Sequence, residues 1–114
     1  MSVIQSKAIK MMQVGGPEVL QWVDIEVAAP GPDEVRVVHE AIGLNFIDVY
    51  FRKGVYPQPL PGWLGMEASG VIESVGSNVK HVKAGDRVAY AGKPAGAYSQ
   101  VRVMPAEIVV KLPD

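Results

Sequence analysis

The stretch Glu67-Ala68-Ser69-Gly70-Val71-Ile72-Glu73-Ser74-Val75-Gly76-Ser77-Asn78 decides the fold of this 114-residue chain. A run of small and β-branched residues ends at a Gly-Ser-Asn turn, which is the pattern of a short strand and not of a helix. Gly70, inside the strand at 67–75, marks a bulge or the close approach of another backbone. Downstream, Gly85-Asp86 makes a second turn before a strand at 87–91. A short loop at 92–96 follows, then alternating apolar and polar residues at 97–103 and a last short strand at 108–111. Upstream, the extended segment 7–14 is stopped by Gly15-Gly16-Pro17, and a second, 19–27, runs into Ala28-Ala29-Pro30-Gly31-Pro32. Prolines that close together cannot lie in a central strand, so 28–32 is a loop. Residues 34–41 alternate again, with Val35, Val37, His39 and Ala41 on one face and Arg36, Val38 and Glu40 on the other.

The character changes at 45–53. Asn45 is a good N-cap, because its side-chain oxygen can accept from the backbone N–H of Ile47 or Asp48. Asp48 places a carboxylate in the first turn, where the helix dipole favours it, and Arg52 and Lys53 lie at the other end. Gly54 suits the C-cap, and Tyr56-Pro57-Gln58-Pro59-Leu60-Pro61-Gly62 cannot continue a helix. Short strands separated by turns, with one small helix, predict a mainly β fold, a partly open β-barrel rather than a parallel α/β sheet.

Composition narrows the function. The chain has 48% hydrophobic and 20% charged residues, which is globular rather than disordered. It has no cysteine, which excludes disulfides, thiolate catalysis and cysteine-bound zinc. A formal net charge of -1 gives no electrostatic reason to expect nucleic acid or an anionic membrane as partner. The first residues lack a basic region followed by a sustained apolar run, and no stretch approaches the roughly 20 apolar residues that span a bilayer. The expectation is a soluble, cytoplasmic protein.

Few residues are placed to do chemistry. His39 lies in a strand and His81 in a polar stretch, neither with a second His or a carboxylate at metal-binding spacing, so neither is assigned a role. The Gly-rich segments 62–65 and 92–96 match neither the dinucleotide fingerprint nor the P-loop, and they read as turns. Aromatic and polar residues gather around the helix: Asn45, Phe46, Tyr50, Phe51, Tyr56 and Trp63. Phe46, Phe51 and Trp63 read as packing. Asn45, Tyr50 and Tyr56 carry polar tips beside a helix that opens into a loop, and spacing alone leaves packing and binding both open for them.

Four stretches together resemble the medium-chain dehydrogenase/reductase superfamily: residues 15–20 (Gly-Gly-Pro-Glu-Val-Leu), 41–50 (Ala-Ile-Gly-Leu-Asn-Phe-Ile-Asp-Val-Tyr), 65–72 (Gly-Met-Glu-Ala-Ser-Gly-Val-Ile) and 84–90 (Ala-Gly-Asp-Arg-Val-Ala-Tyr). Within it they are most similar to the zeta-crystallin-like quinone oxidoreductase branch. The resemblance covers nearly the whole chain in order. It implies a GroES-like β-barrel, with residues 1–114 as the substrate-side domain of an NADPH-dependent quinone reductase. The Rossmann domain that holds most of the NADPH is then expected after Asp114, so the chain alone is expected to be inactive. The resemblance further implies a quinone substrate, docking against the chain's own Rossmann domain, and a homodimer.

The departures from the alcohol dehydrogenase pattern are also informative. Where those enzymes carry a zinc-binding cysteine this chain has Leu44-Asn45-Phe46, and where they carry a zinc-binding histidine it has Met66. A thioether and a neutral amide make a poor zinc site, and the four-cysteine lobe for structural zinc is missing, so no metal is expected. Glu67 is then read as a structural carboxylate. The resemblance places Asn45, Tyr50 and Tyr56 near the nicotinamide end of NADPH and the quinone, with Tyr56 and Asn45 as the catalytic pair. Two alternatives remain: an enoyl or alkenal reductase on the same scaffold, or a stand-alone GroES-like binding module without enzymatic activity. If later sequence normally covers this domain, Phe51, Trp63 and Leu64 are expected to lie exposed. Tyr98 is expected in a strand away from the pocket.

Overall fold

The first strand hydrogen-bonds on both of its edges, and its neighbours show how the chain divides into two layers. A computed structural model describes residues 3–114. Strand β1 (Ile4–Met11) pairs antiparallel with β2 (Leu20–Val27) from Ile4 opposite Val27 to Met11 opposite Leu20. Its other edge takes the two-residue β4 (Gly62–Trp63), giving a three-stranded sheet in the order β2-β1-β4. The second sheet has five strands in the order β7-β3-β5-β6-β8. These are β3 (Glu34–Ile42), β5 (Glu67–Val75), β6 (Arg87–Ala91), β7 (Val101–Pro105) and β8 (Val110–Lys111), all paired antiparallel. The single α-helix among the described residues, α1 (Phe46–Lys53), fills the connection between β3 and β4. The expected mainly β, partly open architecture with one short helix is what forms.

The two sheets meet along residues 98–100. Ile9 N–H donates to the Tyr98 carbonyl at 2.8 Å and Gln100 N–H to the Lys7 carbonyl at 2.9 Å, while His39 N–H donates to the Gln100 carbonyl at 2.9 Å. This corrects the continuous strand expected at 97–103. The segment serves β1 first and joins β3 as a strand only from Val101 onward, so the alternation spans two different neighbours. Other boundaries shift for similar reasons. The first strand ends at Met11 and not at residue 14, because Gly15 N–H turns to the Arg52 carbonyl at 2.9 Å at the end of α1. Pro17–Val19 forms a 3-10 turn before β2, and Ala106–Ile108 another before β8, shortening the strands expected at 19–27 and 108–111.

Apolar residues collect in two clusters. The larger lies on the five-stranded sheet around Val35, Val37, Ile72, Val88 and Met104. The smaller joins Met11, Val19, Phe51 and Leu64 under α1. Phe51 and Leu64 are thus buried, which corrects their expected exposure; of that trio only Trp63, on the short edge strand, is open to solvent. Exposed apolar residues around α1 and the loop after it include Leu44, Phe46, Val55, Tyr56 and Leu60. Arg36 is buried although it is charged. It is 2% exposed, and it donates to Glu73 Oε1 at 2.8 Å and to the Val27 carbonyl at 3.2 Å. The Arg36 hydrogen bond, and then one donated by the Ser74 hydroxyl, hold the Glu73 carboxyl below the usual carboxylate range.

Candidate functional site

Local chemistry builds the platform for the site. α1 starts at Asn45, which is extended (φ -126°, ψ 153°), and Asn45 and Asp48 form a capping box in which Asp48 Oδ2 accepts from the Asn45 backbone N–H at 3.1 Å. It ends at Gly54 in the left-handed conformation (φ 84°), where a side chain is strained and glycine is not. Beyond Gly54 the chain folds back, and the N–H groups of Val55 and Tyr56 donate to the Tyr50 carbonyl at 2.9 and 3.3 Å. That reversal brings Tyr56 onto the helix it has just left.

The aromatic rings consequently stand in series. Phe46 and Tyr50, one helical turn apart, meet edge to face at 5.2 Å between centroids. Tyr50 and Tyr56 meet at 5.4 Å, and Tyr56 reaches the buried Phe51 at 5.8 Å. Offset and edge-to-face geometries are the favourable ones for aromatic pairs. Phe46 is 69% exposed, Tyr56 45% and Tyr50 37%, so the rings form an open wall anchored at one end in the core. The structure therefore brings the two tyrosines of the expected site together. Asn45, the N-cap, stands about 7.5 Å from Tyr50 along the helix axis.

Asn45 is tied elsewhere. Its Nδ2 donates to Glu67 Oε2, at the start of β5, at 2.8 Å. A carboxylate only accepts, which settles that the amide nitrogen faces Glu67. The Glu67 side chain lies over Gly43: a Cβ there would stand 2.5 Å from Glu67 Cγ and 2.6 Å from Cδ. Gly43 N–H also donates to the Glu67 carbonyl at 3.1 Å.

Beneath the helix, Asp48 is 4% exposed, and its Oδ2 also accepts from the Tyr98 hydroxyl at 2.6 Å. Burial, and then the bond and charge of Asp48, hold the Tyr98 phenol well above its usual ionisation range. Asp48 Oδ1 is buried without a hydrogen-bond partner. Tyr98 is therefore not remote from the site: it supports the first turn of α1, which corrects the expectation that placed it away. The Asn-x-x-Asp pattern was a legible signal for the capping box, but nothing local marks a tyrosine 50 residues away as its partner. Met66, where a zinc enzyme would carry histidine, packs against the smaller apolar cluster.

His39 acts as a pin between the sheets. Its Nδ1 donates to the Ser99 carbonyl at 2.7 Å, which leaves Nε2 to accept from the Tyr90 hydroxyl at 2.8 Å. Burial is the main cause that lowers its pKa, outweighing the Ser99 bond, so the ring is held neutral. A cleft of about 650 Å³ opens beside it, lined by Trp22, Val38, Ile42, Tyr98 and Gln100 among others, and Asn45, Tyr50 and Tyr56 lie outside that cleft.

Comparison with known proteins gives these features a context. The family model of the alcohol dehydrogenase GroES-like domain matches residues 31–114. A quinone oxidoreductase of Pseudomonas aeruginosa is 56% identical over 110 residues, which are 96% of this chain and 34% of that protein. The crystal structure of Escherichia coli quinone oxidoreductase complexed with NADPH superposes with a TM-score of 0.91 at 51% identity, covering 94% of this chain and 33% of that one. A 2-haloacrylate reductase from a Burkholderia species is 44% identical over 104 residues, 87% of this chain and 31% of that protein. The chain thus spans about a third of the length of the curated relatives it matches.

Proposed function

We infer the activity from one premise: the chain belongs to the alcohol dehydrogenase GroES-like domain family. It is the substrate-side domain of a longer NADPH-dependent quinone oxidoreductase, in which a Rossmann domain holds most of the cofactor. Among the described residues no helix is long and apolar enough to cross a membrane, and the parent enzyme works as a homodimer in the cytoplasm. The observation that carries the reading is the open series Phe46, Tyr50 and Tyr56 at the end of a helix capped by Asn45, in a domain so similar to one solved with NADPH.

Bound NADPH supplies a hydride, and the chain supplies alignment and electrostatics. The ring wall offers a flat apolar surface to a flat acceptor. The Tyr56 hydroxyl donates a hydrogen bond to the quinone oxygen as negative charge builds on it, with Tyr50 completing the wall. Asn45 orients the nicotinamide side. In the full-length enzyme, Tyr56→Phe is expected to lower kcat/KM for quinone about 2- to 13-fold, the effect of one ordinary hydrogen bond. Tyr90→Phe is the proper comparison, because Tyr90 lies on the five-stranded sheet and bonds to His39 and Arg102. If both variants keep the parent kcat/KM at a temperature where both are folded, the Tyr56 hydroxyl has no part in the reaction. Residues 1–114 alone are expected to show only background NADPH oxidation, since no phosphate-binding loop lies in them; saturable turnover by this chain would overturn the half-enzyme reading.

The reaction is zinc-independent. The Asn45 amide is engaged with Glu67, and Met66, a thioether packed against the smaller apolar cluster, stands where a zinc enzyme carries histidine. Elemental analysis of protein purified without a His tag is expected to find far less than one zinc per chain. A stoichiometric zinc that resists chelators would refute this.

The similarity to a 2-haloacrylate reductase favours one second reading, reduction of a conjugated carbon–carbon double bond on the same wall. Assaying quinones and conjugated alkenes side by side with the full-length enzyme separates the two by their kcat/KM.

A further inference from the structure

We propose that Glu67, rather than being only structural, is a cofactor-side binding residue, and that Asn45 is the positioning residue that aims it. The inference rests on the reductase reading above and divides the work of the site within it. Glu67 Oε2 accepts from Asn45 Nδ2 at 2.8 Å, and Asn45 is itself held by the capping box at the first turn of α1. The carboxylate is thereby tied to a rigid helix end rather than waving from a strand terminus. Gly43 leaves the room it occupies, since any side chain there would meet Glu67 Cγ and Cδ within 2.6 Å. No lysine or arginine among the described residues is paired with Glu67. Its second oxygen, Oε1, makes no hydrogen bond among them, and the residue is exposed.

An oriented carboxylate oxygen with nothing bound to it accepts and never donates. The carboxamide N–H groups and sugar hydroxyls at the nicotinamide end of a reduced dinucleotide are donors that fit it. A quinone offers acceptor oxygens only and finds no partner there. The geometry thus assigns the Asn45–Glu67 end of α1 to the cofactor and the Tyr50–Tyr56 end to the acceptor. Asn45 and Tyr50, about 7.5 Å apart along the axis of one short helix, then stand on the sides of the hydride donor and its acceptor.

The test uses the full-length enzyme, with NADPH affinity read by equilibrium fluorescence titration and KM values by steady-state kinetics. Glu67→Ala is expected to weaken NADPH binding roughly 3- to 10-fold, the effect of losing one hydrogen bond, and to leave the quinone KM at the parent value. Asn45→Ala should weaken NADPH binding by a similar factor, and the double variant should bind NADPH no worse than the poorer single, because both changes remove one unit. Glu67→Gln, which still offers Asn45 an acceptor, should recover part of the loss. Thermal melts confirm that each protein is folded at the assay temperature. Unchanged NADPH affinity in Glu67→Ala, a loss that appears in the quinone KM instead, or fully additive losses in the double variant would each overturn the assignment. A parent enzyme that binds NADPH but reduces no quinone would sink the reductase reading and leave this one standing.

Discussion

Replacing Gly70 by alanine is expected to destabilise the chain by about 3 kcal/mol or more, a large share of a small domain's stability. Gly70 lies in β5 opposite His39, beside a register irregularity between His39 and Ala41. An added Cβ would fall 2.2 Å from the Val38 carbonyl oxygen, 2.9 Å from its carbon and 3.0 Å from His39 Cα. All three are backbone atoms in the central pair of the five-stranded sheet, so no side chain can swing aside to make room. The pair must separate or the bulge must move, and either change costs ladder hydrogen bonds and packing around Val37 and Ile72. At about 4–8 °C per kcal/mol, the melting temperature should fall by on the order of 15 °C. Gly85→Ala is the control: its φ is +93° but nothing lies within 4 Å of the new Cβ, so only backbone strain of about 1–2 kcal/mol is at stake. A Gly70→Ala melt no lower than that of Gly85→Ala would show that the close approach is not what glycine is needed for.

Tyr98→Phe should cost about 2 kcal/mol, since it removes a hydrogen bond to a carboxylate that is buried and already has one oxygen without a partner. The loss should reach function as well as stability, because Asp48 holds the Asn45 end of α1. Its signature is a pH dependence. The folded state raises the Tyr98 phenol above its unfolded value of about 10. The stability from that shift is fully present below about pH 10 and is lost as the pH rises through the folded value. Tyr98→Phe should therefore make the alkaline limb of a stability–pH curve shallower, with Tyr90, also raised by burial, responsible for part of what remains. Urea melts from pH 7 to 11 measure this. An unchanged midpoint at pH 7 would mean that Asp48 finds another donor and that Tyr98 does not support the helix.

The two residues differ in how visible they are in the sequence. Gly70 could be singled out in the sequence because a glycine inside a strand pattern has few reasons to be there. The ends of α1 were visible for the same kind of reason: Asn45, Asp48, Arg52, Lys53 and Gly54 act on backbone groups within a few residues of themselves. Tyr98 was misplaced, because alternation at 97–103 says which side chains share a face and not which sheet the segment will join. Phe51 and Leu64 were expected at the surface because the chain is only part of a longer pattern. They are buried because α1 and the loop after β4 close on Met11 and Val19 within this chain.

The sequence by itself determined the strand-and-turn architecture, the single helix with both caps, and the superfamily whose residues recur in four separated stretches. Each of these depends on contacts within a few positions or on a pattern read in order along the chain. Only the tertiary structure decided that Arg36 is buried against Glu73 and the end of β2. It alone decided that residues 98–100 bridge the two sheets, and that Glu67 is the partner of Asn45 while Tyr98 is the partner of Asp48. Those contacts join residues 22 and 50 positions apart. A carboxylate, amide or phenol has no local preference among such distant partners, so the pairing follows from where packing of the two apolar clusters brings the backbone.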